Sequence, residues 1–338
     1  MNDPLKILDL GLPNPRGPAS MRRPHSVRRT ATIDVTWPDG VGKPMAFHGY
    51  GRDIYTASAE SAPTILTVDE LFATITDERI IQAIRAVPDR ANIDQLVGVR
   101  GGGKLRHALN DALPEERQAA SPLYLLIDDL AGASLVSSWA LYSSGSVDMP
   151  VLTEEDIQAR IIQQAGVCIG FRPGSSALDP SEKIGGRQNS AIVEPLHNPN
   201  DPEGWHPLEY GTELHFRRAR SIDVWRDGDV HIEVTFQDSA ARPDGSREAV
   251  HEYVLSVSAD PQSLEIKTIV ATPHILPFPE CPNAIESVSK MVGQPLAEMR
   301  NAVLETYPRV KGCTHLNDCM RSIAEVPTLI AQLDARVK

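Results

Sequence analysis

The sequence predicts an α+β protein, an antiparallel β-sheet meander packed by C-terminal helices, with a largely helical insertion ahead of the meander. Three observations predict it. Strand-length runs at Glu213 to Arg226, Val230 to Asp238, Glu248 to Ser258 and Leu264 to Thr272 are divided only by Asp227-Gly228, Pro243-Asp244-Gly245 and Asp260-Pro261. Connections that short join antiparallel neighbours. Between about Asn92 and Phe171 the apolar period lengthens: Leu105, Leu109 and Leu113 recur every fourth residue, and Leu123 to Trp139 is an apolar run with few β-branched breaks, which is a helical signature. Past the meander, Pro282 and Pro295 stand where first turns of helices accept proline, and Thr314 to Asp334 carries an apolar stripe interrupted by Pro327.

Taken in order, residues 1–24 hold Pro4, Pro13, Pro15, Pro18 and Pro24 among scattered glycines, a composition that sustains neither helix nor central strand and predicts a flexible tail or a wrapping arm. The remainder, 25–338, is expected as a single α+β domain with the helical insertion at about 92–207. From Arg28 to Trp37 the apolar side chains Ala31, Ile33, Val35 and Trp37 alternate with Thr32, Asp34 and Thr36, and Pro38-Asp39-Gly40 turns the chain. A run from Met45 to Tyr55 is expected to pair with that strand, and Glu78 to Val87 to add a third. Thr153 with Asp156 reads as an N-cap with an acid at the third position, opening a helix through Gln164. Arg172 to Pro207, dense in Gly, Pro, Asn and Ser, reads as a long irregular loop, and such loops inside a domain tend to be functional or mobile.

Composition narrows the function. A net charge of −12 argues against a nucleic-acid protein, since affinity for phosphate backbones comes from clustered Lys and Arg. The basic arm of Arg22, Arg23, His25, Arg28 and Arg29 is expected to be a solvated leader into the first strand. No stretch approaches the roughly 20 apolar residues of a membrane span, and the start lacks a signal-peptide apolar centre, so the chain is expected to stay in the cytoplasm. Four cysteines, Cys168, Cys281, Cys313 and Cys319, make no dense disulfide framework and fit a reducing compartment. The expected partner is a small-molecule substrate, with neither nucleic acid nor membrane, and self-association stays open.

Alternation along strands assigns faces. Val230, Ile232, Val234 and Phe236 share the core face, which leaves His231, Glu233 and Gln237 to solvent. Leu214, Phe216, Ile222 and Val224 share a parity with Arg218 and Arg220. Ala249, Leu255 and Val257 share one with His251 and Tyr253. Two guanidiniums on an apolar face need partners. Together these residues predict a pocket in which Arg218 or Arg220 binds an anionic or phenolate oxygen while His251 or Tyr253 moves a proton. The competing reading is an internal ion pair with Glu252 or an Asp, or a bulge that turns the arginines outward. Asp128-Asp129, inside the run Leu123 to Leu135, either supplies the arginines' counter-charge or contains, in Asp129, a cap for the segment starting at Leu130.

Near the C-terminus the strings Glu280-Cys281-Pro282 and Gly312-Cys313-Thr314-His315-Leu316-Asn317-Asp318-Cys319 gather soft ligands. With Thr314 as a cap, His315 and Cys319 stand one turn apart on one helix face. Cys281, Cys313, His315 and Cys319 are the candidate zinc set, although the spacing matches no standard finger or ribbon. No cofactor other than that zinc is expected. A thiolate at the helix start with His315 as its base is a second reading. An acid/base pair of His315 and Asp318 at three-residue spacing is a third. Ordinary buried core cysteines are the default. Gly98-Val99-Arg100-Gly101-Gly102-Gly103-Lys104-Leu105 follows a P-loop up to Leu105, which replaces the hydroxyl residue that meets magnesium. Its glycines are read as the start of a helix.

Glu-Cys-Pro ahead of a helix, Gly-Cys-Thr-His-Leu-Asn-Asp opening the last one, and His251-Glu252-Tyr253 resemble bacterial domain-of-unknown-function family 2889. The resemblance covers Glu213 to Pro327 and extends more faintly back to Arg28. The helical insertion, about Asn92 to Pro207, departs from the family's short members. The resemblance implies a bacterial enzyme of small-molecule breakdown, a companion of pathways for aromatic or acyl compounds. With the residues above, the expected activity is a cofactor-independent lyase of the retro-aldol or elimination type acting on an aromatic or acidic substrate. A non-catalytic binding or assembly module, held by packing or zinc, is the alternative.

Overall fold

The computed structural model describes residues 10–143, 153–179, 189–209 and 211–336; positions 1–9 of the expected arm and 180–188 of the expected loop lie outside them. The strands are β1 (Ser26–Thr36), β2 (Met45–Thr56), β3 (Thr64–Ile75), β4 (Ile81–Val87), β5 (Ala191–Val193), β6 (His215–Asp227), β7 (Asp229–Ala241), β8 (Arg247–Ala259) and β9 (Ile266–Ile275). They form one antiparallel sheet in the order β4-β3-β2-β1-β6-β7-β8, and the outer edge of β8 is shared by β5 and β9. The four expected C-terminal strands are present as β6 to β9, and β1, β2 and β4 answer the first three expected runs. The strand β3 was not anticipated, although Leu71, Ala73 and Ile75 alternate inward along its second half.

The helices are α1 (Gly103–Ala112), α2 (Pro114–Ala119), α3 (Pro122–Val136), α4 (Trp139–Ser143), α5 (Glu154–Gln164), α6 (Met299–Thr306), α7 (Thr314–Arg321) and α8 (Val326–Asp334). Thr153 and Asp156 form the expected reciprocal capping box of α5. Pro327 falls in the first turn of α8 after a 3-10 segment, so the apolar stripe is two helices. The P-loop-like glycines lead into α1, and Gly101 lies where a Cβ would be 2.7 Å from Ser134 Oγ. Helix α3 crosses β1, β2 and β3, while α7 lies on β7 and β8 and α8 on β1 and β6. Close contact of α3 with β2 requires Gly51, where a Cβ would meet Pro122 at 2.7 Å. The main core fills the space between this sheet face and the helices.

The opposite face is covered too, which corrects two expectations. Ala19 from the arm, Leu196 and Trp205 pack on Ala219 of β6, and His206 sits between Thr30 Oγ1 at 2.9 Å and Thr32 Oγ1 at 2.8 Å. Gln237 is therefore buried rather than solvated, donating to Glu252 Oε1 at 2.9 Å. Glu252 also accepts from the Arg16 backbone amide of the arm at 2.8 Å. Neither Arg28 nor Arg29 is a solvated leader: Arg28 is buried on this face and Arg29 on the helical face. Each faces an aspartate across a strand pair, Arg28 with Asp223 at 2.6 Å and Arg29 with Asp53 at 2.6 Å. Among the described residues no helix is long and apolar enough to cross a membrane.

Candidate functional site

The site grows out of cross-strand register. Arg218 on β6 lies directly opposite Asp238 on β7, and Asp238 directly opposite His251 on β8. All three point to the helical side, as alternation requires. Arg218 grips Asp238 with both Nε and Nη2, each 2.9 Å from a carboxylate oxygen. Just beyond this pair the ladder slips between Asp238 and Ser239, so Val250 faces the main core and Ala249 joins Val193 and Ile275 instead. The bulge thus overturns the parity expected for Ala249. The first turn of α7 delivers His315 from above. Its Nε2 is 3.6 Å from Asp238 Oδ2, and its ring stacks on His251 with centroids 3.5 Å apart and planes 22° off parallel. His251 Nδ1 is 3.3 Å from the same Oδ2, without the alignment of a hydrogen bond.

Around this trio lies a charge network drawn mainly from α1, α3 and α7. Arg220 binds Asp129 through Nη2 at 2.8 Å and reaches the Asp318 carbonyl at 3.0 Å and Ser322 Oγ at 3.1 Å. Asp318 contacts Arg106 at 2.8 Å, and Arg218 and Arg321 at 3.4 Å each. Asp128 pairs with Arg321 at 2.8 Å and Arg106 at 3.2 Å. The Phe236 ring lies 4.9 Å from the Arg218 guanidinium and 5.1 Å from that of Arg220, within cation–π range. Arg106, Arg218, Arg220 and Arg321 are thereby balanced by Asp128, Asp129, Asp238 and Asp318. Room for Arg218 is made by Gly132 in the middle of α3, where a Cβ would lie 1.9 Å from Nη1.

Burial dominates the proton affinities and is then opposed by partners. It would raise the Asp238 carboxyl, but the Arg218 guanidinium, gripping both oxygens, holds it well below the usual carboxylate range. Burial would strip Arg218 of its proton, yet Asp238, Asp129 and Asp318 more than restore it. Both imidazoles are driven down, His251 by burial and His315 by burial and by His251 beside it, so both are neutral at pH 7. The Cys168 thiol is pushed up to about 11 by burial, and Cys281, Cys313 and Cys319 are pushed up for the same reason.

Several expectations change accordingly. Arg218, Arg220, His251 and Tyr253 do point inward together, but all are buried. The two described surface clefts, about 310 and 390 Å³, are lined by other residues, Arg16, Glu233 and His274 among them in one and Arg117 and Arg300 in the other. Tyr253 turns from His251 and donates to Cys313 Sγ at 3.5 Å. Asp318 pairs with arginines, and the carboxylate near His315 is Asp238, 77 positions away in sequence. Asp129 is a counter-charge within α3 and not a cap. Cys313, and not Thr314, occupies the N-cap of α7, Thr314 being its first helical residue; Cys313 Sγ lies 4.0 Å from His315 Nδ1, but burial keeps it a thiol. Cys281, Cys313, His315 and Cys319 do not converge as a ligand set. The group whose donor atoms all lie within 4.8 Å of one another, among the described residues, is Asp238, His251 and His315. Asp238 was missed because it ends its predicted strand, though it continues the parity of Val234 and Phe236.

Fold and site together define an α+β protein with a buried acid–imidazole centre carried on the C-terminal half of its sheet. Residues 216–329, which contain Arg218, Asp238, His251 and His315, match the sequence profile of a family described as "Protein of unknown function (DUF2889)". No curated protein and no solved structure matches the chain. The matched segment runs from β6 into α8, so the balancing residues Arg106, Asp128 and Asp129 come from outside it.

Proposed function

We propose that the protein is a cytoplasmic enzyme of small-molecule breakdown, a lyase of the retro-aldol or elimination type acting on a small aromatic or acidic molecule. Its reacting centre would be Asp238, His251 and His315 beside Arg218. One observation supports this most: two stacked imidazoles share one carboxylate that a guanidinium also grips. Cleavage of this kind needs a base, an acid to return the proton and a cation beside the developing anion. Burial holds the imidazoles in their basic form, and Arg218 is the adjacent cation. His315 and His251 keep 10 % and 7 % of their side-chain surface exposed against 0 % for Asp238, so a substrate would approach over the first turn of α7.

A non-catalytic binding or assembly module is the second reading. It is favoured by the four-to-four charge balance and by the absence of the trio from either described cleft. A thermal-shift and turnover screen of hydroxylated aromatic acids and aliphatic hydroxy acids separates the two, because a ligand that binds only the native state raises its melting temperature. The enzymatic reading expects a compound that stabilises the protein and is cleaved to an aldehyde or unsaturated product, with turnover lost in His315→Gln and the circular dichroism unchanged. Undiminished turnover in both His251→Gln and His315→Gln would remove the assigned centre.

A further inference from the structure

We propose that Asp238, His251 and His315 form a binding site for one divalent first-row transition-metal ion of the zinc or iron(II) class. Two imidazoles and one carboxylate are a donor set that holds such ions while leaving positions open for water or substrate. In a tetrahedral shell with bonds of about 2.0–2.1 Å, donors stand about 3.4 Å apart. His251 Nδ1 and His315 Nε2 lie 3.3 and 3.6 Å from Asp238 Oδ2. The three donors come from β7, β8 and α7, so strand register and a helix start hold their backbones close, and binding would turn the stacked imidazoles apart so that each in-plane lone pair meets the ion.

A second observation points to a ligand. His251 is 6 % exposed, and its Nδ1, aimed at the shared oxygen, has no hydrogen-bond partner among the described residues. A buried polar atom left unsatisfied is costly. A metal ion at the point where the three donors converge would take a lone pair of Nδ1, with the imidazole proton on Nε2, and replace a poorly aligned contact by a bond. The surroundings are those of an outer ligand shell: Arg218 Nε holds Asp238 Oδ1 at 2.9 Å, and the Thr314 hydroxyl lies 3.4 Å from His315 Nδ1. Arg218 Nη2 also donates to Oδ2 at 2.9 Å, and a carboxylate oxygen has lone pairs for both that bond and a metal.

Because the arginines and aspartates already balance, the added charge would be compensated at the open positions, by hydroxide or by an anionic oxygen of a ligand. The inference goes beyond the enzymatic reading and does not rest on it, since the ion could equally staple β7, β8 and α7 in a binding module. If the protein is a lyase, a bound ion would supply Lewis-acid stabilisation of a developing anion, His251 and His315 would hold it as ligands, and the imidazoles would then not be the proton-transfer groups of the metal-free reading.

The test is metal binding by the full chain, stripped with chelator and titrated with Co²⁺ and then Zn²⁺. The expected result is one Co²⁺ per chain with a visible absorption band, displacement by Zn²⁺, and a higher melting temperature with Zn²⁺. Asp238→Asn and His315→Ala should weaken Co²⁺ binding at least about a hundredfold, beyond the 10–100-fold typical of outer-shell changes, while His274→Ala leaves it unchanged. Circular dichroism checks the fold of each variant; should a variant not fold, the wild-type stoichiometry and the remaining variant still decide. Substoichiometric Co²⁺ on wild type, unaltered binding in His315→Ala, or loss of binding in Cys281→Ser alone would overturn the assignment.

Discussion

Two clusters of buried charge lie on the helical face of the same sheet, and both are built from an arginine directly across from an aspartate on the next strand. In the first, Arg29 meets Asp53 with Nε and Nη2 at 2.6 and 2.7 Å, and its Nη1 reaches Glu325 Oε2 at 2.9 Å and the Ala120 carbonyl at 2.7 Å. Arg300 closes the set on Glu325, and Gln332 donates to Asp53 at 3.1 Å. Each guanidinium nitrogen of Arg29 has an acceptor and each carboxylate a donor. In the second, Arg218 and Asp238 repeat the unit, but strand β8 adds His251 and helix α7 adds His315. The difference is in what the covering element brings. The Glu325 turn ahead of α8 brings a carboxylate that saturates the arginine, whereas α7 brings an imidazole that stacks on His251, whose Nδ1 has no aligned hydrogen bond. The saturated cluster ties the sheet to the helices, and the other leaves the two imidazoles without a cationic partner of their own.

The largest effect expected from this contrast is on the saturated cluster. Arg29→Ala leaves Asp53 buried without a cationic partner and takes from Glu325 one of its two, Arg300 being the other, and should cost about 3–5 kcal/mol in a urea denaturation experiment; a loss under 1 kcal/mol would mean the cluster is not sealed. Gly132→Ala comes next. It drives a methyl group into Arg218 and should cost about 1–3 kcal/mol, whereas Gly103→Ala, with open space at its position, should be neutral or slightly stabilising.

Acid sharpens the comparison further. His251 and His315 have pKa values lowered by burial, so below about pH 6.5 the unfolded chain takes up protons that the folded one refuses. Stability in chelator should therefore fall as pH drops below that value, by up to about 1.4 kcal/mol per unit per histidine. His315→Gln should flatten that slope. The ionised Asp238 and Asp128 stabilise the fold above the ordinary carboxylate range, a contribution lost only at lower pH. The smallest effect belongs to the exposed pair Arg226–Asp334 at 2.9 Å: Arg226→Ala should cost under about 1 kcal/mol and less in high salt.

Legibility followed the range of the interactions. The turns at Asp227-Gly228 and Pro243-Asp244-Gly245, the capping box at Thr153 and the inward parity of Arg218, Arg220 and His251 all depend on residues a few positions apart. The burial of Arg28, Arg29 and Gln237 was not legible, because each is covered by segments from elsewhere in the chain. Asp238 could have been found by extending the parity of Val234 and Phe236 one step. Gly132 carried a signal as well, a glycine inside an apolar helix, but nothing nearby in sequence says what passes over it.

By itself the sequence determined the C-terminal succession of strands, turns and helices and, away from the bulge at Ala249, which side chains of those strands share a face, because strand alternation and turn chemistry act between near neighbours. Only the tertiary structure decided that Arg220 would meet Asp129 from 91 positions away and that His315 would stand on His251 above Asp238. Charge pairing and ligand convergence depend on register across strands and on where helices land, and distances of 3 to 4 Å between remote residues are set by packing of the whole core.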